Sequence, residues 1–316
     1  MDRQKRDRRE GHRRQAGVAL FASSLLVATL ATPAAAATIV CSAAEIIANE
    51  SAGDCPNDPL ASCRIRGDYD TTAPSCVFDF GDRDVTVAGS SIIDADDNTL
   101  SIRAGSLRLE RLGRTRARGG SATSGGSISI TTARDVIIEP VGVIDVTNAG
   151  DAGIVELTAG GTVEIGGRVD AFGTTTESGA GFVNIVADGD ILVTGTLAVG
   201  NGSAAFSPGE INLDARGRIA LGGTIDLAGG DGGALEAIAD AEIEVTTDLD
   251  ADATGDAGSG GSITLESGRG IVLAGRLFAR GTPGIDHSGG DGGTIAIEAK
   301  FGDIGGDANV IASGAG

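Results

Sequence analysis

One short phrase, a glycine followed by alternating apolar residues, restarts seven times, at Gly126, Gly153, Gly181, Gly209, Gly233, Gly261 and Gly293. Successive starts lie 27, 28, 28, 24, 28 and 32 apart, a period close to 28. A fixed period of this size describes a stack of like units, none of which buries its apolar face alone. That restriction excludes most folds before any composition is considered.

Within a unit the apolar residues form three alternating pairs, the period-2 pattern of a half-buried strand. In the unit that starts at Gly209 they are Ile211/Leu213, Ile219/Leu221 and Ile225/Leu227. The second pair begins eight residues after the first in all six complete units, and the third follows after six residues in five of them. Two looser units precede these: Leu100/Ile102, Leu107/Leu109 and Thr115/Ala117, and before them Phe78/Phe80, Val85/Val87 and Ile93/Ala95. Three strands per unit, each stacking on its copy in the next, predict an all-β fold: a parallel β-helix of about nine coils. Right-handed winding is expected from the chirality of parallel connections. The 52 glycines are expected at the corners, where positive φ and the lack of a side chain permit tight bends.

The N-terminus reads as a secretory signal peptide over residues 1–37. Six arginines and Lys5 lie between Met1 and Gln15, an apolar or small run follows over 16–30, and Ala34–Ala37 offers a cleavage site. The apolar run is too short to span a membrane comfortably, and no later segment is a spanning candidate. Cys41, Cys55, Cys63 and Cys76 follow at once. An even count in an exported chain predicts two disulfides, with three connectivities open. Residues 38–75 would form a stapled N-terminal cap and residues 76–316 the β-helix, its C-terminal edge uncapped and prone to edge-to-edge self-association.

The net charge is −20, and because residues 1–37 hold seven basic and three acidic residues, removing them leaves −24. Such acidity excludes nucleic-acid binding and electrostatic attachment to anionic membranes. It reads as a solvated surface that keeps a sheet-rich chain dispersed. One acidic ladder stands out. The outward position of the third strand carries Asp94, Arg116, Asp145, Asp170, Ala198, Asp226, Asp250 and Phe278 in succession. Asp145 with Asp170, and Asp226 with Asp250, would lie about one strand spacing apart, and calcium suits the carboxylate and carbonyl oxygens of such pairs. Length variation concentrates in the third corner, where successive offsets run 11, 14, 14, 10, 14 and 18. Loops confined to one face of a solenoid suit ligand binding. The longest holds His287, read as a solvated loop residue. The runs Gly229–Gly233 and Gly289–Gly293, each centred on an aspartate, read as flexible turns.

The coil pattern, Gly-x-Ile-x-Ile followed by a second pair eight residues later, resembles the β-helical shafts of large secreted bacterial surface proteins, of filamentous-haemagglutinin-like or pectin-lyase-like architecture. The resemblance covers about residues 76–316. It implies an exported structural or adhesive module, extracellular, cell-surface or periplasmic, presenting variable loops to a cell surface, matrix or glycan. The alternatives are a carbohydrate-active β-helix enzyme working through the ladder aspartates, and a fragment of a longer surface protein. No nucleophile-elbow or zinc-protease motif is present, so no catalytic residue and no cofactor other than calcium is assigned.

Overall fold

Alternation with a period of two places every second residue of a strand inside, and here the inward residues stack into unbroken columns. The computed structural model describes residues 37–71, 73–119, 124–175, 178–200, 208–285 and 289–315. Residues 1–36, all but the last of the expected signal peptide 1–37, and His287 lie outside the described residues. The fold is an all-β parallel β-helix of about nine turns, each turn matching the period of the sequence. Among the described residues its three parallel sheets hold nine, ten and eleven strands, each built from the first, second or third strands of the successive coils. In the first sheet one inward column runs Leu100, Ile128, Val155, Val183, Ile211, Leu235 and Ile263, every neighbour in register. All of the apolar pairs named above for the coils at Phe78, Leu100 and Ile211 are buried, Ile211 and Ile219 completely.

The first-sheet strands run six residues, or five in Ser75–Asp79, longer than the apolar pair alone implies. Their last inward position is small: Ala104, Thr132, Ala159, Ala187, Ala215, Ala239 and Ser267. The coil bends here, and a small residue fits inside the corner. Ser267 is fully buried, and its hydroxyl lies within hydrogen-bond distance of the Ala241 and Gly270 carbonyls, which satisfies it.

Of the two reasons expected for the glycines, the lack of a side chain holds more widely than positive φ. Among the described glycines only Gly81, Gly89 and Gly306 have positive φ. Many of the others are required by close stacking. A Cβ on Gly195 would stand 2.0 Å from the Gly167 carbonyl oxygen, and one on Gly223 would stand 2.0 Å from that of Gly195. Each of these coils thus excludes a side chain from the next. Two stacked second-corner residues, Leu112 (φ 69°) and Val141 (φ 74°), occupy the left-handed region without being glycine, and both are exposed.

Aspartates bind coil to coil. A carboxylate oxygen at a corner accepts the backbone N–H about one period later: Asp135 from Thr162, Asp151 from Gly179, Asp190 from Arg218, Asp231 from Ser259, Asp248 from Arg276, at 2.8–2.9 Å. Arginines add ion pairs at the same interval, as in Asp188–Arg216, Asp190–Arg218 and Asp248–Arg276. Much of the acidity is therefore engaged in joining coils, including Asp231 in the Gly229–Gly233 run.

At the N-terminal end a helix, Ala43–Asn49, begins with a capping box of Ser42 and Glu45 and buries Ala43 and Ile46 in the core. The cysteines pair as Cys41–Cys76 and Cys55–Cys63, with Cα separations of 4.8 and 4.1 Å. Strands already occur in this region: Cys63–Ile65 in the second sheet, and Thr38–Ile39 and Tyr69–Asp70 in the third. At the other end Thr294–Ala299, Ile304–Gly306 and Val310–Ile311 are the outermost strands of the three sheets. Ile295 and Ile297 are only half-buried there, and Phe301 is exposed.

Candidate functional site

The outer face of the third sheet carries the ladder. Its strands are two or three residues long, and alternation along each sets a row of side chains outward. The column expected from sequence is continuous: Asp94 pairs with Arg116, Arg116 with Asp145, Asp145 with Asp170, Asp170 with Ala198, Ala198 with Asp226, Asp226 with Asp250, and Asp250 with Phe278. Asp70 extends it one coil further, beside Asp94.

The two aspartate pairs differ. Asp226 and Asp250 are exposed, whereas Asp145 and Asp170 are 3% and 6% exposed. Burying two neighbouring carboxylates is costly unless charge and hydrogen bonds compensate. Arginines supply the charge. Arg118 holds Asp145 through Nε at 2.7 Å and through Nη2, and Arg168 holds Asp170 through Nε at 3.3 Å and Nη2 at 3.0 Å. Thr147 donates to the other Asp145 oxygen from its backbone N–H at 3.0 Å and its hydroxyl at 2.7 Å.

This partnership splits the pair electrostatically. Burial pushes the Asp145 carboxyl up, but hydrogen bonds from Arg118 and Thr147 more than reverse that and leave it below its ordinary value. At Asp170 burial dominates, the Arg168 bonds offset it only in part, and the neighbouring Asp145 charge adds to the rise. One of two stacked carboxylates is thus held firmly ionised and the other is pushed towards the acid.

Around them lies a cleft of about 280 Å³ lined by Arg114, Arg118, Val143, Asp145, Thr147, Arg168, Asp170 and Phe172. Of these, the aspartates alone stand out in the ladder reading. The arginines were legible as the alternating run Arg114-x-Arg116-x-Arg118 and as Arg168 two residues before Asp170, the same face by period-2 logic. Further along the face, Asp248-x-Asp250-x-Asp252 is followed one coil later by Arg276-x-Phe278-x-Arg280. Arg276 and Arg280 pair with Asp248 and Asp252, and their guanidiniums stack on the Phe278 ring at 5.1 and 4.8 Å. Among the described residues, no group of three or more His, Cys, Asp or Glu side chains is placed to hold a metal ion.

Other clefts lie off this face. One of about 360 Å³ runs along the second sheet beside Arg108, Arg134 and Asp84, and one of about 460 Å³ sits at the first corner beside Asp190, Arg218 and Arg269. Set against family models, curated proteins and solved structures, the chain matches none.

Proposed function

We propose that this chain is an exported structural or adhesive β-helix, a stiff shaft that carries its third-corner loops to a cell surface, matrix or glycan. The observation that supports this best is the continuity of the three ladders: every coil is paired in register with the next, so loops emerge at a fixed spacing along one side. A repeated array at fixed spacing suits multivalent contact with a repeating ligand, because linked weak contacts multiply. Export is supported by the two disulfides, which persist in oxidising compartments, and by the arginine-rich leader with its small-residue site. No helix among the described residues is long and apolar enough to cross a membrane.

The reading is tested by producing the full chain in a bacterial host and recovering it from the cytoplasm, periplasm and medium. The expected species starts near residue 37 by mass spectrometry, lies outside the cytoplasm and contains no free thiol. It should also bind at least one surface in a panel of matrix proteins and glycans, and replacing third-corner loops with short turns should reduce that binding. An intact N-terminus with four free thiols would overturn export. Processed protein that binds no surface would leave a shaft without an adhesive role.

A further inference from the structure

We propose that the third-sheet cleft between Arg114, Arg118 and Arg168 binds a tetrahedral oxyanion, a sulfate or phosphate group. The inference stands apart from the shaft reading, since an exported rod with no adhesive role would hold the ion equally well.

Charge comes first. Three guanidiniums and two carboxylates line the cleft, so it carries excess positive charge on a chain whose net charge is −20. Arg116 adds a fourth guanidinium in the adjoining row, answered by Asp94 at 3.6 Å. Arg114 is half-buried and, among the described residues, takes part in no ion pair. Most other arginines of the coils have a carboxylate partner, and Arg114 lines this cleft without one.

Preorganisation comes second. Arg118 and Arg168 are held by their own buried carboxylates through Nε and Nη2, which leaves Nη1 of each outside those bonds. Fixing a flexible arginine before the ligand arrives removes much of the entropic cost of binding. Phe172 and Val143 give the cleft apolar walls, where charge-assisted hydrogen bonds are stronger than in open water.

The donor arrangement selects the ligand. A carboxylate is planar and favours the two parallel N–H groups of one guanidinium edge. At Arg118 and Arg168 the Nε–Nη2 edge is already taken by Asp145 and Asp170. What remains are the Nη1–Nη2 ends of Arg118 and Arg168 and the whole fork of Arg114, donors from three separate residues. Donors spread in this way suit an anion with oxygens in several directions.

The test is isothermal calorimetry of the full chain with sodium sulfate and, separately, sodium phosphate, with sodium acetate as the planar anion and ionic strength held constant with sodium chloride. Saturable binding of sulfate, phosphate or both at one equivalent, with acetate silent, supports the site, and the stronger of the two identifies the group. Arg114→Gln should weaken that binding about tenfold, as expected for one charge-assisted contact, while Arg269→Gln at the distant first corner should leave it unchanged. If Arg114→Gln alters the circular dichroism of the fold, Arg114→Lys serves instead, keeping the charge and losing the planar fork. Absence of saturable heat from both oxyanions, equal binding of acetate, or unchanged affinity in the folded Arg114 variant would each overturn the proposal.

Discussion

A core side chain in this solenoid meets copies of itself above and below as well as partners across the coil, so one misplaced charge finds apolar neighbours on every side. Aspartate at Ile211, Ile219 or Ile225 should cost several kcal/mol, about 3 or more, whereas aspartate at outward Asn212 should cost only about 1 kcal/mol, for the lost bond to Glu210 and the new repulsion beside it. Urea titrations of the four variants check this, and equal losses would contradict the register. Val141 offers the opposite case. Its left-handed φ of 74° strains a β-branched residue, and its side chain is half exposed. Val141→Gly should stabilise by about 0.5–1 kcal/mol, the strain relieved less the entropy glycine adds to the unfolded chain. A lower melting temperature in calorimetry would show that the valine has contacts worth more than its strain. The inward residues were readable from the sequence because strand alternation is local. The arginine–aspartate partners were not, because most of these pairs join two coils. Asp248 and Arg276 become neighbours only once the period is laid out, and Arg118 meets Asp145 at a coil whose length departs from that period.

At the scale of the element, the buried Asp145–Asp170 pair governs how the third sheet responds to acid. Asp145 lies below its ordinary value, so its contribution is fully present above the unfolded carboxylate range and is lost as pH falls through its folded value. Asp170 and Asp94, both raised chiefly by burial, act in the reverse sense: their ionised forms oppose folding, and protonation just above the ordinary range relieves this. Asp145→Asn should therefore cost about 1–3 kcal/mol at neutral pH, the value of hydrogen bonds to a charged acceptor. Asp170→Asn should cost less than about 1 kcal/mol, because its partner Arg168 remains half exposed to water. Melting temperatures of the two variants between about pH 3 and 8 check the order, and a larger loss at Asp170 would reverse the assignment. The N-terminal element has its own test. Reduction should remove about 2–4 kcal/mol per bridge and loosen the segment from Cys41 to Cys76 while most of the sheet persists. Hydrogen exchange on reduced and oxidised protein measures this, and uniform loss of protection along all coils would refute it. Two disulfides were foreseeable from an even cysteine count in a chain expected to be exported, but their pairing was not. It depends on Cys76 and Cys63 both turning inward on strands that only the folded chain brings together.

Taken as a whole molecule, the fold was largely legible because a solenoid repeats its instructions, and each coil confirms the reading of the one before. The site was legible in half. The sequence marks a ladder of aspartates, but burial of two of them depends on which side chains lean over the face, and alternation does not encode that. Glycine was legible as a corner residue, and of its two expected reasons the missing side chain governs here: stacked carbonyl oxygens, rather than backbone handedness, keep Cβ atoms out of the Gly167–Gly195–Gly223 column. The parallel register described for all three sheets also fixes how the β-helix would answer to force. Its backbone hydrogen bonds run along the stacking direction, so tension applied from end to end meets them in series rather than in shear. Coils would peel off singly, each releasing one period of chain, roughly 95 Å when extended. The Cys41–Cys76 bridge withholds the segment it encloses, so that end cannot lengthen until the bond is reduced. A β-helix built in this way would yield in steps of 24 to 32 residues and absorb work at every one.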